Sequence, residues 1–108
     1  MFNIDNKNKI TLVRGDTAVL TFELSDYALT EGDQVKLTVK YNSTSKTLLT
    51  KTITEFTNGK AIIEFKEKDT QTMDPGDYLY EIECRLMNGT VVDTVITATT
   101  FSLIADLG

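Results

Sequence analysis

Short runs in which apolar and polar residues alternate one by one recur along almost the whole chain. Such alternation is typical of β-strands that bury one face and expose the other. A helix would instead repeat its apolar residues every three or four positions. We therefore predict about seven strands, in the ranges 10–13, 18–24, 35–41, 48–53, 61–65, 78–86 and 91–104.

The segments between these runs contain residues that favour turns. Asn58-Gly59 and Asn88-Gly89 adopt positive φ at little cost, so each is expected to close a hairpin between neighbouring antiparallel strands. The segment 67–72 lacks alternation, and we expect one helical turn at most. Three further Gly-Asp turns each precede a strand, at Gly15-Asp16, Gly32-Asp33 and Gly76-Asp77. Strands separated by turns at short intervals favour an antiparallel β-sandwich.

The last run, residues 91–104, is too long to keep a single register. Its apolar residue Ile96 falls on one parity, whereas Phe101 and Leu103 fall on the other. An extra residue in the strand would bring both sets onto the same face. We therefore predict a β-bulge or kink within residues 97–100.

Residues 74–78 read Asp-Pro-Gly-Asp-Tyr at the start of a predicted strand. This is the local pattern of the tyrosine corner in immunoglobulin-like sandwiches. Tyr78 is then expected to be buried, with its hydroxyl bonded to the backbone before its strand. With 108 residues and one cysteine, the chain is predicted to be a single immunoglobulin-like domain, residues 1–108, without a disulfide. The predicted core contains Phe22, Leu37, Val39, Phe65, Tyr80 and Ile82.

The composition argues against most catalytic and ligand-binding classes. The chain has no His, and its one cysteine, Cys84, lies on a predicted buried face without a partner base. No glycine-rich phosphate loop occurs, and the net charge of −5 disfavours nucleic acid. No apolar stretch approaches the roughly 20 residues of a membrane helix, and no secretory signal begins the chain. We expect a non-enzymatic, intracellularly synthesised protein with no cofactor, metal, nucleic acid or membrane partner.

Four apolar residues lie on the strand parity opposite the core. If they were contiguous, they would form a patch of the kind that marks a partner surface. Alternatively, some of them cover the ends of the sandwich or lie under loops. The four residues are Val13, Val19, Ile62 and Leu79. The run 48–53, interrupted by Lys51, is predicted to be an edge strand whose charge opposes accidental pairing.

Several short motifs follow one another in a definite order across nearly the whole chain. They are Leu12-Val13-Arg14-Gly15-Asp16-Thr17, Glu31-Gly32-Asp33, Asn58-Gly59-Lys60-Ala61, Lys68-Asp69-Thr70, Pro75-Gly76-Asp77-Tyr78 and Asn88-Gly89-Thr90. This ordered set resembles the N-terminal immunoglobulin-like domain of phage baseplate upper proteins, which occur in phages and prophages of Gram-positive bacteria. The resemblance implies a structural module of the tail baseplate or fibre that docks on neighbouring virion proteins.

The resemblance also implies a location, namely the bacterial cytoplasm during synthesis and the virion tail afterwards. Members of that family usually continue into a long C-terminal fibre, whereas this chain ends at Gly108, just past the last predicted strand. Both a short relative and an excised domain fit this ending. Whether the chain forms a homo-oligomer stays open.

A second interpretation is a carbohydrate-binding or adhesive sandwich that recognises a cell-surface ligand. Sugar-binding surfaces usually present exposed aromatic rings to the sugar. The candidates in this chain are few and separated: Tyr27, Tyr41 and Phe56.

Overall fold

A computed structural model describes residues 2–106 and places most of them in β-strands. Over these residues it contains eight strands and one helical turn. They are β1 (Asn3–Ile4), β2 (Ile10–Val13), β3 (Ala18–Phe22), β4 (Gln34–Lys40), β5 (Thr47–Ile53), β6 (Ala61–Phe65), α1 (Glu67–Thr70), β7 (Gly76–Leu86) and β8 (Val91–Ile104). All seven predicted strands are present, and the two-residue β1 is additional. Leu107-Gly108, the end of the chain that the sequence analysis contrasted with longer baseplate proteins, lies outside the described residues.

The strands form two sheets that pack face to face as a sandwich. One sheet has six strands in the order β1-β2-β8-β7-β4-β5, and the other pairs β3 with β6. All pairs are antiparallel within the described part except β2 and β8, which run parallel with Ile10 opposite Phe101. The predicted antiparallel β-sandwich is confirmed, apart from this one parallel pair. Alternation shows which face of a strand is buried, but it does not indicate the direction of a partner strand far away in the sequence.

Alternate residues of both sheets meet in one continuous core. The rings of Phe65 and Phe101 lie 5.9 Å apart between centroids, and those of Tyr80 and Phe101 lie 6.4 Å apart. Each fully buried large apolar side chain stabilises the fold by about 1.5–3 kcal/mol relative to an exposed one. This shared core joins the sheets without a disulfide, and the cysteine Cys84 is buried in it. All six predicted core residues are buried: Phe22, Leu37, Val39, Phe65, Tyr80 and Ile82.

β8 contains two irregularities in its pairing with β7. The first adds a residue to β8 within residues 97–98, opposite the interval from Tyr80 to Ile82. This confirms the predicted bulge. The second lies opposite the step from Ile82 to Glu83 and adds Val95, which the sequence pattern did not indicate. Because each bulge shifts the parity of the strand, β8 points apolar residues inward on both sides of the change.

The two Asn-Gly dipeptides have different structural consequences. Asn58 and Gly59 adopt positive φ in a tight turn, as predicted, and Thr57 bridges to Lys60 across it. The predicted hairpin is nevertheless wrong, because the flanking strands β5 and β6 belong to different sheets. Asn88-Gly89 does close the hairpin between β7 and β8. The dipeptide determines the local turn, whereas core packing determines the sheet that each flanking strand joins.

Candidate functional site

The four predicted surface residues lie on two opposite faces of the sandwich. Val19 and Ile62 are on neighbouring strands of the outer face of the β3–β6 sheet. Val13 and Leu79 are on the outer face of the six-stranded sheet, with β8 between their strands. The four therefore do not form one contiguous patch. Val19 is 57% exposed, whereas the other three are half-buried.

Two of the half-buried residues lie against neighbouring side chains. Leu79 shares a shallow depression with Lys40 and Glu81 on the outer face of the six-stranded sheet. Ile62 lies beside the end of β5, near Ile53 and Glu55. These two residues are therefore less accessible than Val19.

Three further exposed apolar residues lie close together in the sequence at the end of the β7–β8 hairpin. We call residues 87–92 the hairpin tip. Met87 is 58% exposed, Val91 40% and Val92 52%. Val91 and Val92 are adjacent in β8 and point to opposite sides of the hairpin, so the tip presents an apolar side chain on each side. Exposed apolar side chains on a protruding turn are suited to contact with a partner. The sequence analysis did not single them out, because Met87 lies in the turn and the bulges of β8 change the facing of the valines.

Asp33, at the end of the loop before β4, holds the hairpin tip in place. Its buried carboxylate accepts hydrogen bonds from the Met87 N–H at 3.0 Å, the Thr30 N–H at 3.0 Å and the Tyr27 hydroxyl at 3.1 Å. Burial acts to raise the pKa of Asp33, but these three donors outweigh it, and the pKa lies below its usual value. The carboxylate is therefore ionised at neutral pH and joins two loops.

Gly32 lies where the hairpin tip meets the loop before β4. The Asn88 N–H donates to the Gly32 carbonyl at 3.2 Å. Gly32 has a φ of +95°, and a Cβ added there would lie 2.7 Å from the Asn88 Oδ1. The predicted Gly-Asp turn therefore has a second role, since it forms the surface on which the hairpin tip rests.

Tyr78 forms the predicted tyrosine corner. It is buried, and its hydroxyl donates to the Asp74 carbonyl at the loop before β7, which confirms the prediction. Desolvation raises the pKa of Tyr78. Tyr80 is also buried, and its hydroxyl donates to the Asn8 carbonyl. Desolvation raises the pKa of Tyr80 to about 12.

The helical turn α1 closes the end of the sandwich opposite the hairpin tip. The Oγ1 of buried Thr70 accepts a hydrogen bond from the Gly15 N–H at 2.9 Å. Lys51 lies opposite Leu37 in the β4–β5 register and so shares the inward parity of β5. Its Nζ lies 2.6 Å from the Asp69 Oδ2. β5 is an edge strand, as predicted, and its charge points inward to an ion pair that the sequence did not reveal.

Three observations concern metal binding, membrane crossing and the reactivity of the cysteine. Within residues 2–106, no group of three or more acidic or Cys side chains is arranged to hold a metal ion. No helix in that range is long and apolar enough to cross a membrane. Burial raises the pKa of Cys84 to about 11, so its thiol is protonated and inaccessible as a nucleophile at neutral pH.

The three aromatic residues considered for sugar binding differ in how accessible their rings are. Tyr27 is half-buried and donates to Asp33, and Phe56 packs against the core. Tyr41 is 64% exposed and borders an open groove whose lining includes Leu48, Asp74 and Asp77. Of the three rings, Tyr41 is therefore the accessible one, and it borders the same groove as the carboxylates of Asp74 and Asp77.

Comparison with known proteins does not place the chain in a family. No protein-family model matches it, and no curated protein sequence is significantly similar to it. The choice of a function therefore depends on the fold, the exposed surface and the order of the sequence motifs.

Proposed function

We propose that the chain is an immunoglobulin-like assembly module of a phage or prophage tail baseplate or fibre. It binds a neighbouring virion protein through the hairpin tip. The observation that carries the proposal is the group of three exposed hydrophobic side chains on a hairpin held by the buried carboxylate of Asp33. An apolar protrusion that is already ordered loses little conformational entropy when it docks. The motif order shared with baseplate upper proteins supports the class of partner.

The strand order supports the immunoglobulin-like part of this proposal. β4, β7 and β8 are neighbours and face β3 and β6 across the core. Strands C, F and G face B and E in the same way in immunoglobulin domains. β5 lies beside β4, in the place of the extra strand C′ of variable-type domains. The tyrosine corner at the start of β7 also fits strand F.

The charges around the hairpin tip indicate what its partner should offer. Asp93 follows the tip directly in the sequence, and Glu31 precedes Gly32, whose carbonyl accepts a hydrogen bond from Asn88 in the tip; both acidic side chains are exposed. The cation next to it, Arg85, is engaged by Glu83, with 2.9 Å between Nε and Oε1. We therefore expect the partner to have an apolar recess with a basic rim, since complementary charge speeds association and favours the correct partner.

Co-purification with the tail proteins encoded beside this chain tests the proposal. The double variant Met87→Asp, Val92→Asp should lose the complex while keeping its circular dichroism spectrum, because both side chains are more than half exposed. Ile104→Asp is the matched control, since Ile104 is also exposed, at 44%, and lies at the other end of β8, so it should keep the complex. If the chain forms no complex with any of the neighbouring tail proteins, the proposal is refuted.

The exposed ring of Tyr41 favours carbohydrate binding as a second candidate. A sugar ring stacked on Tyr41 would place hydroxyl groups near the carboxylates that line the same groove. A glycan array with the purified chain tests this candidate, with Tyr41→Ala as the variant that should lose binding. A specific sugar on the array, together with no complex among tail proteins, would replace the assembly proposal with the adhesive one.

A further inference from the structure

Most strand edges of the described part are protected against pairing with another chain. β5 carries the inward ion pair of Lys51, and β6 contacts β5. β1 has two residues, and the unpaired side of β8 before Phe101 is interrupted by two bulges. Inward charges, short strands and bulges are the usual protections of an exposed edge.

β3 is different, because its second edge has none of these protections. It pairs with β6 on one side, in an unbroken register from Ala18 to Phe22, and no other strand of residues 2–106 pairs with it. It contains no Lys and no Pro. Its outer side chain Val19 is well exposed. The strand therefore offers backbone N–H and C=O groups for pairing with another strand.

An open groove of about 500 Å³ lies between the two sheets along this edge. It exists because two strands cover a six-stranded sheet, and because β2 pairs with β8 from Phe101 onward and leaves the earlier half of β8 without a neighbour on that side. Its apolar walls come from Leu20, Phe22 and Leu24 on one side and Ile82, Val95 and Ile96 on the other.

The charged residues that line the groove are both acidic, namely Asp5 and Glu23. The Asp5 carboxylate accepts hydrogen bonds from the N–H groups of Lys7 and Lys9, each at 2.9 Å. Glu23 lies 3.7 Å from the Nζ of Lys60, measured from its Oε2, in a pair that is exposed on both sides. No Lys or Arg lines the groove itself, so its charge suits a ligand that carries a basic side chain.

We propose that the free edge of β3 binds one extended segment of a partner protein by β-strand addition. The segment has an apolar residue at every second position, directed into the groove, and a Lys or Arg beside Asp5 or Glu23. Main-chain hydrogen bonds to β3 supply affinity, and the groove selects the alternate side chains. The identification of this partner as a virion protein rests on the proposed function, whereas strand addition itself does not depend on it.

A second copy of this chain is a poorer occupant than a separate strand. If two β3 edges paired with each other, the inward side chains Leu20 and Phe22 of each copy would stay in their own core. No side chain would then enter the groove, and its apolar walls would remain in contact with water. An incoming strand that is not already part of a core can fill it.

The test titrates the full-length, isotope-labelled chain with the synthetic peptide KVTVTVTK and records amide chemical shifts by NMR. We expect saturable shifts in residues 18–22, in residues 95–96 and at Ile82. The peptide KVVVTTTK has the same composition but no alternation of apolar and polar residues. It should bind with an affinity at least about tenfold lower. Methylating the amide nitrogens along one edge of the alternating peptide should abolish binding, whereas methylating the other edge should not.

A protein variant provides a second control. Ile96→Lys places a charge in the groove and should weaken peptide binding about tenfold. Ile104→Lys makes the same change at an exposed position at the other end of β8 and should leave binding unchanged. The inference would be overturned if both peptides bound equally well or if the shifts were confined to other residues. It would also be overturned if no binding occurred at millimolar peptide, or if the free chain sedimented as a dimer linked through β3. Loss of peptide binding while tail-protein co-purification persists would reject the β3 inference alone.

Discussion

The Asp33 carboxylate accepts a hydrogen bond from the Met87 backbone N–H at 3.0 Å, and the two residues are 54 positions apart in the sequence. The same side chain also accepts hydrogen bonds from Thr30 and Tyr27. One buried carboxylate thereby joins the loop before β4 to the hairpin tip. The order of the proposed docking surface therefore depends on this contact between distant residues as well as on the Asn-Gly turn that closes the hairpin.

We expect Asp33→Asn to lower the free energy of unfolding at pH 7. Because the pKa of Asp33 is lowered in the folded state, the ionised carboxylate stabilises the fold above the unfolded-state pKa of about 3.9. That stabilisation is lost as the pH falls through the lower folded-state pKa. Urea unfolding at pH 7 and between pH 4 and 2 should show the difference between wild type and variant shrinking with acid. The exposed Asp26→Asn serves as control, and a difference that is constant with pH would contradict the prediction.

Tyr78→Phe should destabilise the chain by about 1 kcal/mol or more, because the Asp74 carbonyl loses its donor at a partly buried site. Tyr41→Phe is the matched control, since the Tyr41 ring packs edge-on against Tyr78 but its side chain is largely exposed. Denaturant melts of the two variants measure the difference. Equal stability of both variants would argue against a tyrosine corner that contributes to folding.

Thr70→Val should cost about 1–3 kcal/mol, although it preserves the shape of a fully buried side chain. The variant removes the Oγ1 acceptor and leaves the Gly15 N–H without its partner. Thr72→Val makes the same chemical change at an exposed position and should be nearly neutral. Thermal and urea unfolding of both proteins provide the measurement, and a neutral Thr70→Val would show that water replaces the lost bond.

Lys51→Val should make the chain self-associate through β5. The variant removes the inward charge of an edge strand and leaves Asp69, a half-buried carboxylate, without its cation. Thr52→Val introduces the same side chain on the opposite, exposed face of β5. This variant should self-associate no more than the wild type. Sedimentation velocity at increasing concentration distinguishes the two. Identical sedimentation of both variants would show that Lys51 does not protect the edge.

The sequence was more informative about the core than about the surface. Tyr78 and the buried residues of β7 were predictable because a local motif and a period of two both act within a few residues. Val13, Val19, Ile62 and Leu79 were correctly placed off the core, but parity cannot show that they divide between opposite faces. The exposure of Met87 was not predictable either, because it depends on how far the β7–β8 hairpin extends beyond the neighbouring strands.

The positions of the strands, the side chains that face inward and the places where the chain turns could be predicted from local patterns in the sequence. Each of these follows from local backbone preference and from the removal of alternate apolar residues from water. The tertiary structure alone decided the parallel pairing of β2 with β8, the placement of β5 and β6 in different sheets, and the partners of Asp33 and Lys51. These features join residues far apart in the sequence. Their energy is gained only when both partners are already held by the packed core, so no local pattern in the sequence records them.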